Sequence, residues 1–295
     1  MNPADNKLLQ KLQSEAEMKT TEDFIGEVKS CHDFIQERKA SGNVPSHLQG
    51  LDNDIAVLRI LAPFNIYGLL NVGIYNAYQA QDMAMLNDAL FSYNRIKYYR
   101  DTMMSSGYDH CIYFLNVMEN LAGNDLPFIR KIFRRELGLT KTGHKFLVTA
   151  SNLTMALLWN DEKWKEESLK AAEKFLIRKN GRADEACVQY LISLINQDIG
   201  KASAYLAESC SLYKKNGLIH NFGNPFLKVF GAYIHGLYNL AYHLLPAGKF
   251  ELLAQPDHTV FWKEFAAYNI STGFIPGKPF IIFENELSGL NKVYE

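Results

Sequence analysis

Apolar residues recur at three- and four-residue spacing along most of this chain, and the stretch 145–159 shows the pattern most clearly. Within that stretch a broad apolar stripe is formed by Phe146, Leu147, Ala150, Leu153, Thr154, Leu157 and Leu158. This spacing places the side chains on one face of an α-helix, where a neighbouring element can bury them. Asn160 and Asp161 interrupt the stripe before another helical pattern begins. The pattern therefore predicts helices joined by tight turns.

The same alternation of helix and turn continues through the middle of the chain. It predicts helices at 144–159, 161–179, 183–197 and 199–216, separated by Asn160-Asp161, Asn180-Gly181 and Asn216-Gly217. Because such short connections place consecutive helices side by side, we expect antiparallel helical hairpins. No repeat of fixed length can be aligned, which favours an irregular array or bundle over a regular solenoid. The predicted fold class is all-α.

The flanking regions extend the helical prediction in both directions. Before the middle region we expect helices at 4–19, 21–40, 52–79 with a bend at Pro63, 82–104 and 108–121, and a short basic helix after Asp125. After it we expect helices at 224–245 and 257–269. The region 271–295 is predicted to be extended, with the run Phe280–Phe283 either a lone strand or part of a tail packed on the helices.

No stretch of the sequence has the composition of an interdomain linker. The whole chain, 1–295, is therefore predicted to form one helical domain. Within it we distinguish an N-terminal helical pair and loop at 1–50, a helical array at 51–270 and the extended C-terminal segment at 271–295.

Charge and hydropathy exclude several functional classes. Lysine and arginine number 31 against 32 aspartates and glutamates, for a formal net charge of −1, so the chain as a whole is not attracted to nucleic acid or to membranes. Residues 1–19 lack the apolar core of a signal peptide. The apolar region 55–80 is interrupted by Arg59, Pro63 and three asparagines, which favours a buried helix over a membrane span.

The distribution of the cysteines indicates the cellular compartment. Cys31, Cys111, Cys187 and Cys210 lie far apart and form no CxxC motif, a distribution typical of small thiols buried in a protein of the reducing cytosol. We therefore predict a cytoplasmic protein.

The chain contains no recognisable catalytic or phosphate-binding motif: neither a GxSxG elbow, nor a P-loop, nor a GxGxxG loop is present. His235 and His243 share a face of the predicted 224–245 helix, but eight residues rise about 12 Å, too far for one metal ion. We interpret both as structural residues in a polar seam. The sequence predicts no catalytic residue, cofactor or metal.

Paired carboxylates offer no better candidate for acid–base chemistry. Glu166-Glu167 and Asp184-Glu185 lie among lysines on amphipathic helices. We interpret them as solvated helix faces with partners four residues away, such as Asp161–Lys165 and Glu166–Lys170.

One segment, 130–145, carries a local excess of positive charge. It holds six cationic residues and the single carboxylate of Glu136, for a formal net charge of +5; the cations are Arg130, Lys131, Arg134, Arg135, Lys141 and Lys145. The segment is either a solvated basic surface or a docking site for an acidic protein. Nucleic acid is disfavoured, because Phe128, Phe133 and Phe146 have the spacing of core residues.

Aromatic residues are abundant, with 16 tyrosines, 18 phenylalanines and 3 tryptophans. Several tyrosines are grouped, among them Tyr233, Tyr238 and Tyr242. Such side chains line the core or polar grooves between helices, and they also supply rigid contact residues at interfaces.

Residues 144–217, about a quarter of the chain, resemble the all-helical immunity proteins of bacterial polymorphic toxin systems, nearest the immunity-protein-49 type. The resemblance is carried by the runs Phe146–Ala150 and Ala156–Glu162, a charged helix, Gln189-Tyr190-Leu191 and Tyr205-Leu206-Ala207. It implies a cytosolic antitoxin that binds one cognate toxin and neutralises it by occlusion. The family contributes no catalytic residues.

The candidate partner-binding residues are cationic and aromatic side chains at two places in the chain: Arg130, Arg134, Arg135, Lys141, His258, Trp262 and Tyr268. Two alternatives remain open. One is an enzyme with a pocket between helices around His235, Tyr238 and His243. The other is a helical scaffold or adaptor without a toxin partner.

Overall fold

The computed structural model describes residues 7–11, 13–14, 21–61, 63–101, 109–213, 215 and 224–295. Within these ranges the regular secondary structure is entirely helical, so the all-α prediction is confirmed. The chain packs into two compact units, the first formed by Met1–Ser106 with Pro276–Glu295 and the second by Gly107–Ile275. Whether the two units form one domain, as the sequence predicts, stays a prediction.

The longer helices in the described part of the first unit are α1 (Thr21–Ala40), α2 (Asn53–Ile60), α3 (Pro63–Ala80) and α4 (Met83–Asp101). The pair α3 and α4 forms a helical hairpin, joined through Gln81, whose φ is +58°. Residues 7–11 and 13–14 are also helical, whereas the rest of the predicted helix 4–19 and the end of the helix predicted at 82–104 lie outside the described residues.

The prediction of a single bent helix at 52–79 is wrong. Asp52 caps α2 by accepting hydrogen bonds from the backbone N–H groups of Asp54 and Ile55. The helix then ends at Ile60, because Leu61 has an extended backbone with φ −60° and ψ 123°. Pro63 begins α3 instead of bending a continuous helix, since a proline fits the first turn of a helix but disfavours helical backbone before it.

The C-terminal segment packs on helix α4 of the same unit. The backbone N–H of Lys278 donates to Asp88 Oδ1 at 2.7 Å, and that of Phe280 donates to Ser92 Oγ at 2.7 Å. The run 280–283 is therefore an ordered tail packed on a helix and not a strand. The extended segment predicted at 271–295 is too long, because α-helix continues to Thr272 and a 3-10 helix spans Asn285–Tyr294.

Nine α-helices lie in the described part of the second unit: α5 (Phe114–Ala122), α6 (Leu126–Ile132), α7 (Lys145–Leu158), α8 (Glu162–Leu176), α9 (Arg182–Ile195), α10 (Ile199–Leu212), α11 (Ala232–Leu244), α12 (Ala247–Phe250) and α13 (Lys263–Thr272). The pairs α7–α8 and α9–α10 form the predicted hairpins. Asp161 caps α8 by accepting from the N–H of Trp164 at 3.1 Å. The turn predicted at Asn216-Gly217 lies outside the described residues.

Three predicted helices of this unit start later than expected. The helix predicted at 257–269 begins only at Lys263, as α13. The helix predicted at 108–121 begins as a 3-10 turn, His110–Tyr113, before α5. The helix predicted at 224–245 is divided into a 3-10 turn, Pro225–Lys228, and α11. The division occurs because the N–H of Gly231 donates to the carbonyl of Val260 at 2.8 Å, a contact with a distant part of the chain.

Helices α5 and α11 pack closely in the core of the second unit. Every residue of α11 from Ala232 to Ala241 is buried. Phe128, Phe133 and Phe146 are also buried, as their spacing predicts. The apolar residues of the basic segment 130–145 thus anchor it in the core, and its charged side chains lie at the surface.

Candidate functional site

The basic segment 130–145 exposes all six of its cationic side chains. It comprises the end of α6, a 3-10 turn at Arg135–Leu137, a loop, and the first residue of α7. Gly138, with φ +65°, ends the short turn. A long loop of this kind presents its charges at fixed positions only if other side chains satisfy its backbone polar groups.

Asp109 is the main anchor of this loop. Its Oδ2 accepts hydrogen bonds from the backbone N–H of Lys141 at 2.9 Å and from the N–H and hydroxyl of Thr142 at 3.1 and 3.2 Å. Partial burial alone would raise the pKa of Asp109, but these donors, together with the adjacent His110, hold it well below its usual range. The carboxylate is therefore ionised at neutral pH and stabilises the loop.

Two further side chains fix the loop from the helix α7 side. The amide of Asn152 accepts from the N–H of Thr140 at 2.8 Å and donates to the Thr140 carbonyl at 3.0 Å. Trp159 Nε1 donates to the carbonyl of Phe133 at 2.8 Å. The basic segment is therefore bound to the helical scaffold at residue 133 and at residues 140–142.

The cationic side chains of the segment differ in the contacts they make with the rest of the second unit. Arg135 forms an ion pair with Asp161 at 3.0 Å, so the predicted pairing of Asp161 with Lys165 is wrong. The guanidinium of Arg130 lies over the Trp159 ring at 5.8 Å from its centroid. Arg134, Lys141 and Lys145 make no side-chain ion pair within the described ranges and are available to a partner.

The predicted carboxylate surfaces are partly as expected. Glu166 and Lys170 form the predicted pair at 2.6 Å on exposed side chains. Lys165 pairs with Glu162 at 2.6 Å. Asp184, however, is only 8% exposed in the first turn of α9, so the interpretation of Asp184-Glu185 as a solvated pair is wrong for Asp184.

The candidates His258, Trp262 and Tyr268 lie on a different part of the second unit. His258 and Trp262 belong to the irregular segment before α13, and Tyr268 lies on α13 itself. All three are half-buried. The Trp262 ring contacts Phe230 with centroids 5.2 Å apart, and Tyr268 stacks on Phe265 at 6.3 Å. The structure thus anchors the seven predicted residues on two separate segments.

His235 is a core residue. It is fully buried between the parallel rings of Phe230 and Phe261, with centroids 4.9 and 4.5 Å away. Its Nε2 accepts the backbone N–H of Trp262 at 3.0 Å. Burial lowers the pKa of His235 to about 3, so the ring is neutral at pH 7. Its surroundings are aromatic, which corrects the prediction of a polar seam.

The pocket predicted around His235, Tyr238 and His243 is not assembled from these three residues. Burial, reinforced by the charge of Arg130, lowers the pKa of His243 to about 4. His243 contacts the Phe274 ring, with centroids 6.2 Å apart, and Tyr238 lines a pocket that neither histidine lines. The histidines therefore do not converge on a common reacting position.

The pocket that Tyr238 does line has a volume of about 450 Å³. Its walls come from α11, from the segment that follows it, and from α13 with the short stretch after it: Tyr238, Tyr242, Ala247, Phe250, Glu251, Leu253, Gln255, Ile270 and Phe274. Sequence reasoning missed this site. The spacing of Tyr238 and Tyr242 on one helix face was the available signal, but Phe250 and Phe274 join them only through the tertiary fold.

Metal and nucleophile chemistry receive no geometric support in the described ranges. No group of three His, Cys, Asp or Glu side chains there is placed to hold a metal ion. All four cysteines are free thiols, three buried and Cys31 half-buried. Burial raises the pKa of Cys187 and of Cys210 to about 12, so these thiols remain protonated and are poor nucleophiles.

The helices found over the described residues are all too short or too polar to cross a membrane. Comparison with family models, curated proteins and solved structures finds no match for this chain.

Proposed function

We propose that this protein is a cytosolic bacterial immunity protein that binds a cognate toxin through the basic segment 130–145. The observation that carries the proposal is the fixed backbone of this segment. Asp109, Asn152 and Trp159 hold the loop by hydrogen bonds, while Arg134 and Lys141 remain exposed and without an ion pair in the described structure. Such a rigid surface binds a partner with little further loss of conformational entropy.

The charge of the segment suits an acidic protein surface. Exposed cations at fixed positions attract an acidic partner before contact and accelerate association. The aromatic spacing needed for single-stranded nucleic acid is lacking, because Phe128, Phe133 and Phe146 are core residues. An acidic protein is therefore the partner class that the surface favours.

The toxin identity of the partner rests on the resemblance of residues 144–217 to immunity proteins. Neutralisation by occlusion requires a binding surface and no catalytic residues. His258, Trp262 and Tyr268 are proposed as a second contact area.

The binding surface is tested by charge reversal. We expect the triple variant Arg130→Glu, Arg134→Glu, Lys141→Glu to weaken toxin binding about a hundredfold or more at low salt. The matched control is Lys163→Glu, Lys174→Glu, Lys179→Glu, which reverses three exposed lysines near helix α8. Equal loss in both variants, or no loss in the first, would remove the segment from the proposal.

The toxin role is tested with the product of the gene immediately upstream. That product should arrest growth when expressed alone, and co-expression of this protein should restore growth and yield a stable complex. A stable complex with a harmless partner would instead support the scaffold alternative. An enzyme built on His235, Tyr238 and His243 is less well supported, because His235 has no access to solvent.

A further inference from the structure

The pocket beside α11 has a predominantly aromatic wall. Tyr242 stacks on Phe274 with ring centroids 3.8 Å apart and planes 14° apart. Phe250 meets Tyr242 edge-on at 5.2 Å and also contacts Tyr238 at 5.2 Å. Ile270, 47% exposed, and Tyr242, 36% exposed, open the pocket to solvent. A ligand can therefore enter without unfolding of the core.

The volume of the pocket suits a small organic molecule. About 450 Å³ lies within the range of roughly 300–1,000 Å³ found for ligand sites. Such sites combine an apolar lining with a few polar groups that orient the ligand. Here the polar groups are Glu251, Gln255 and the two tyrosine hydroxyls.

Glu251 gives the pocket its electrostatic character. Among the lining residues it is the single charged side chain. Lys249, two residues before it in the chain, bonds Gln197 Oε1 at 2.6 Å. Within the described part of the chain, no ion pair joins Glu251 to another residue. The carboxylate is thus available to a cation in the pocket.

The aromatic rings favour the same ligand charge. The faces of tyrosine and phenylalanine rings carry negative electrostatic potential and attract organic cations. Gln255 Nε2 donates to the Tyr238 hydroxyl at 3.4 Å, which orients that oxygen at the pocket wall. No lysine or arginine lines the pocket to hold an anion.

We propose that this pocket binds a small organic amine whose aromatic or aliphatic body lies against Tyr242, Phe250 and Phe274 and whose ammonium group pairs with Glu251. This activity is separate from the proposed partner binding by the basic segment. Neither proposal depends on the other.

The proposal is tested on the full-length protein with three probes that share an indole body: tryptamine, which is cationic, tryptophol, which is neutral, and indole-3-acetate, which is anionic. Binding is measured by ligand-observed NMR and by calorimetry at neutral pH. We expect the affinity order tryptamine, then tryptophol, then indole-3-acetate, because Glu251 attracts the first probe and repels the last.

Two variants test whether the probes bind in this pocket, and a third variant is the control. Glu251→Gln keeps the side-chain size and should weaken tryptamine about tenfold, since a charge-assisted hydrogen bond is lost. Ala247→Trp places a large side chain in the pocket from an exposed position and should abolish binding of all three probes. Glu264→Gln removes an exposed carboxylate outside the pocket and should leave the affinities unchanged.

Other outcomes overturn the proposal. Absence of binding at millimolar concentration, equal affinity for the three probes, or unchanged tryptamine affinity in Glu251→Gln each contradicts it. Circular dichroism and thermal unfolding of each variant establish that it is folded before binding is compared.

Discussion

Gly236 of α11 faces the backbone of Met118 in α5 so closely that a Cβ at Gly236 would lie 1.9 Å from the Met118 carbonyl oxygen. No real Cβ tolerates that approach, so the two helices can pack at this separation only with glycine. The pair is therefore a direct contact between the backbones of α5 and α11. It sets the distance between two helices at the centre of the second unit.

Gly236→Ala should therefore destabilise the protein by about 3 kcal/mol, because the helices must separate and lose packing along their length. Urea denaturation followed by tryptophan fluorescence measures the effect. All three tryptophans, Trp159, Trp164 and Trp262, lie in the second unit, so the signal reports on that unit.

The control is Gly200→Ala in α10. The nearest atom to a Cβ at Gly200 is Asp198 Oδ1 at 3.8 Å, an ordinary contact. Alanine is the better helix former by about 1 kcal/mol, so this variant should be as stable as the wild type or more stable. Stability of Gly236→Ala equal to that of Gly200→Ala would show that the helices adjust without cost.

Replacement of Asp109 by alanine should release the basic loop. The amides of Lys141 and Thr142 lose their acceptor, at a cost of about 1–2 kcal/mol. Hydrogen exchange should accelerate at these two amides and remain slow in the buried part of α9. The control is Asp257→Ala, which removes a carboxylate bonded to exposed Lys263. It should leave the exchange rates of the Lys141 and Thr142 amides unchanged.

The same variant separates two accounts of partner binding. Loss of Asp109 makes the surface more positive, so simple attraction predicts tighter binding of an acidic partner. A fixed loop predicts weaker binding, because the partner must then order it. A higher affinity in Asp109→Ala would contradict the structural basis of the proposed function.

Acidification should destabilise the second unit through His235. Its ordinary pKa of 6.5 falls to about 3 in the folded state because of burial. The unfolded chain therefore binds a proton below pH 6.5 that the folded protein excludes until about pH 3. The stabilising contribution is complete above pH 6.5, and it declines by about 1.4 kcal/mol per pH unit as the pH falls through this window.

His235→Gln tests this linkage. Glutamine does not titrate, and its amide oxygen is able to accept the Trp262 N–H that His235 accepts. The variant should be less stable at pH 7 but should lose less stability between pH 6.5 and pH 5. His243, with a pKa of about 4, retains its own contribution in both proteins. Identical pH dependence would show that His235 is solvated or protonated in the folded state.

Three buried asparagines should behave as one network. Asn239 Nδ2 donates to Asn124 Oδ1 at 2.9 Å, and Asn124 Nδ2 donates to Asn269 Oδ1 at 3.0 Å. Because Asn124 has φ +60°, glycine is its appropriate replacement. In a double-mutant cycle of Asn124→Gly with Asn239→Ala, the destabilisations should fall short of additivity by about 1 kcal/mol. Additive effects would show that the two amides act independently.

The sequence predicts local helical structure well where the apolar stripe and the cap agree, as at α7 and the Asp161 cap of α8. It fails where a distant residue decides the backbone. The predicted 224–245 helix is divided at Gly231, and α11 begins only at Ala232, because the Gly231 N–H bonds to the carbonyl of Val260; no local pattern signals that contact. The 3-10 helix Asn285–Tyr294 was missed for a related reason: Phe283 and Asn291 exchange two hydrogen bonds that close this segment.

The candidate site, like the fold, could be predicted from the sequence only in part. The charges of segment 130–145 are evident in the sequence, and so is the core role of Phe133 and Phe146. The role of Asp109 is not evident, because its partners lie more than thirty residues away. The pocket was missed because Phe274 reaches Tyr242 only once α13 has packed.

The first unit is formed by two separate stretches of the chain, 1–106 and 276–295. The whole of the second unit lies between them in the sequence. Since a ribosome delivers residues in chain order, Asp88 and Ser92 on α4 emerge long before the Lys278 and Phe280 amides that bond to them. The second unit, a continuous stretch, is able to fold in that interval. We therefore expect the unit that begins translation first to finish folding last, with α4 accessible to chaperones in the meantime.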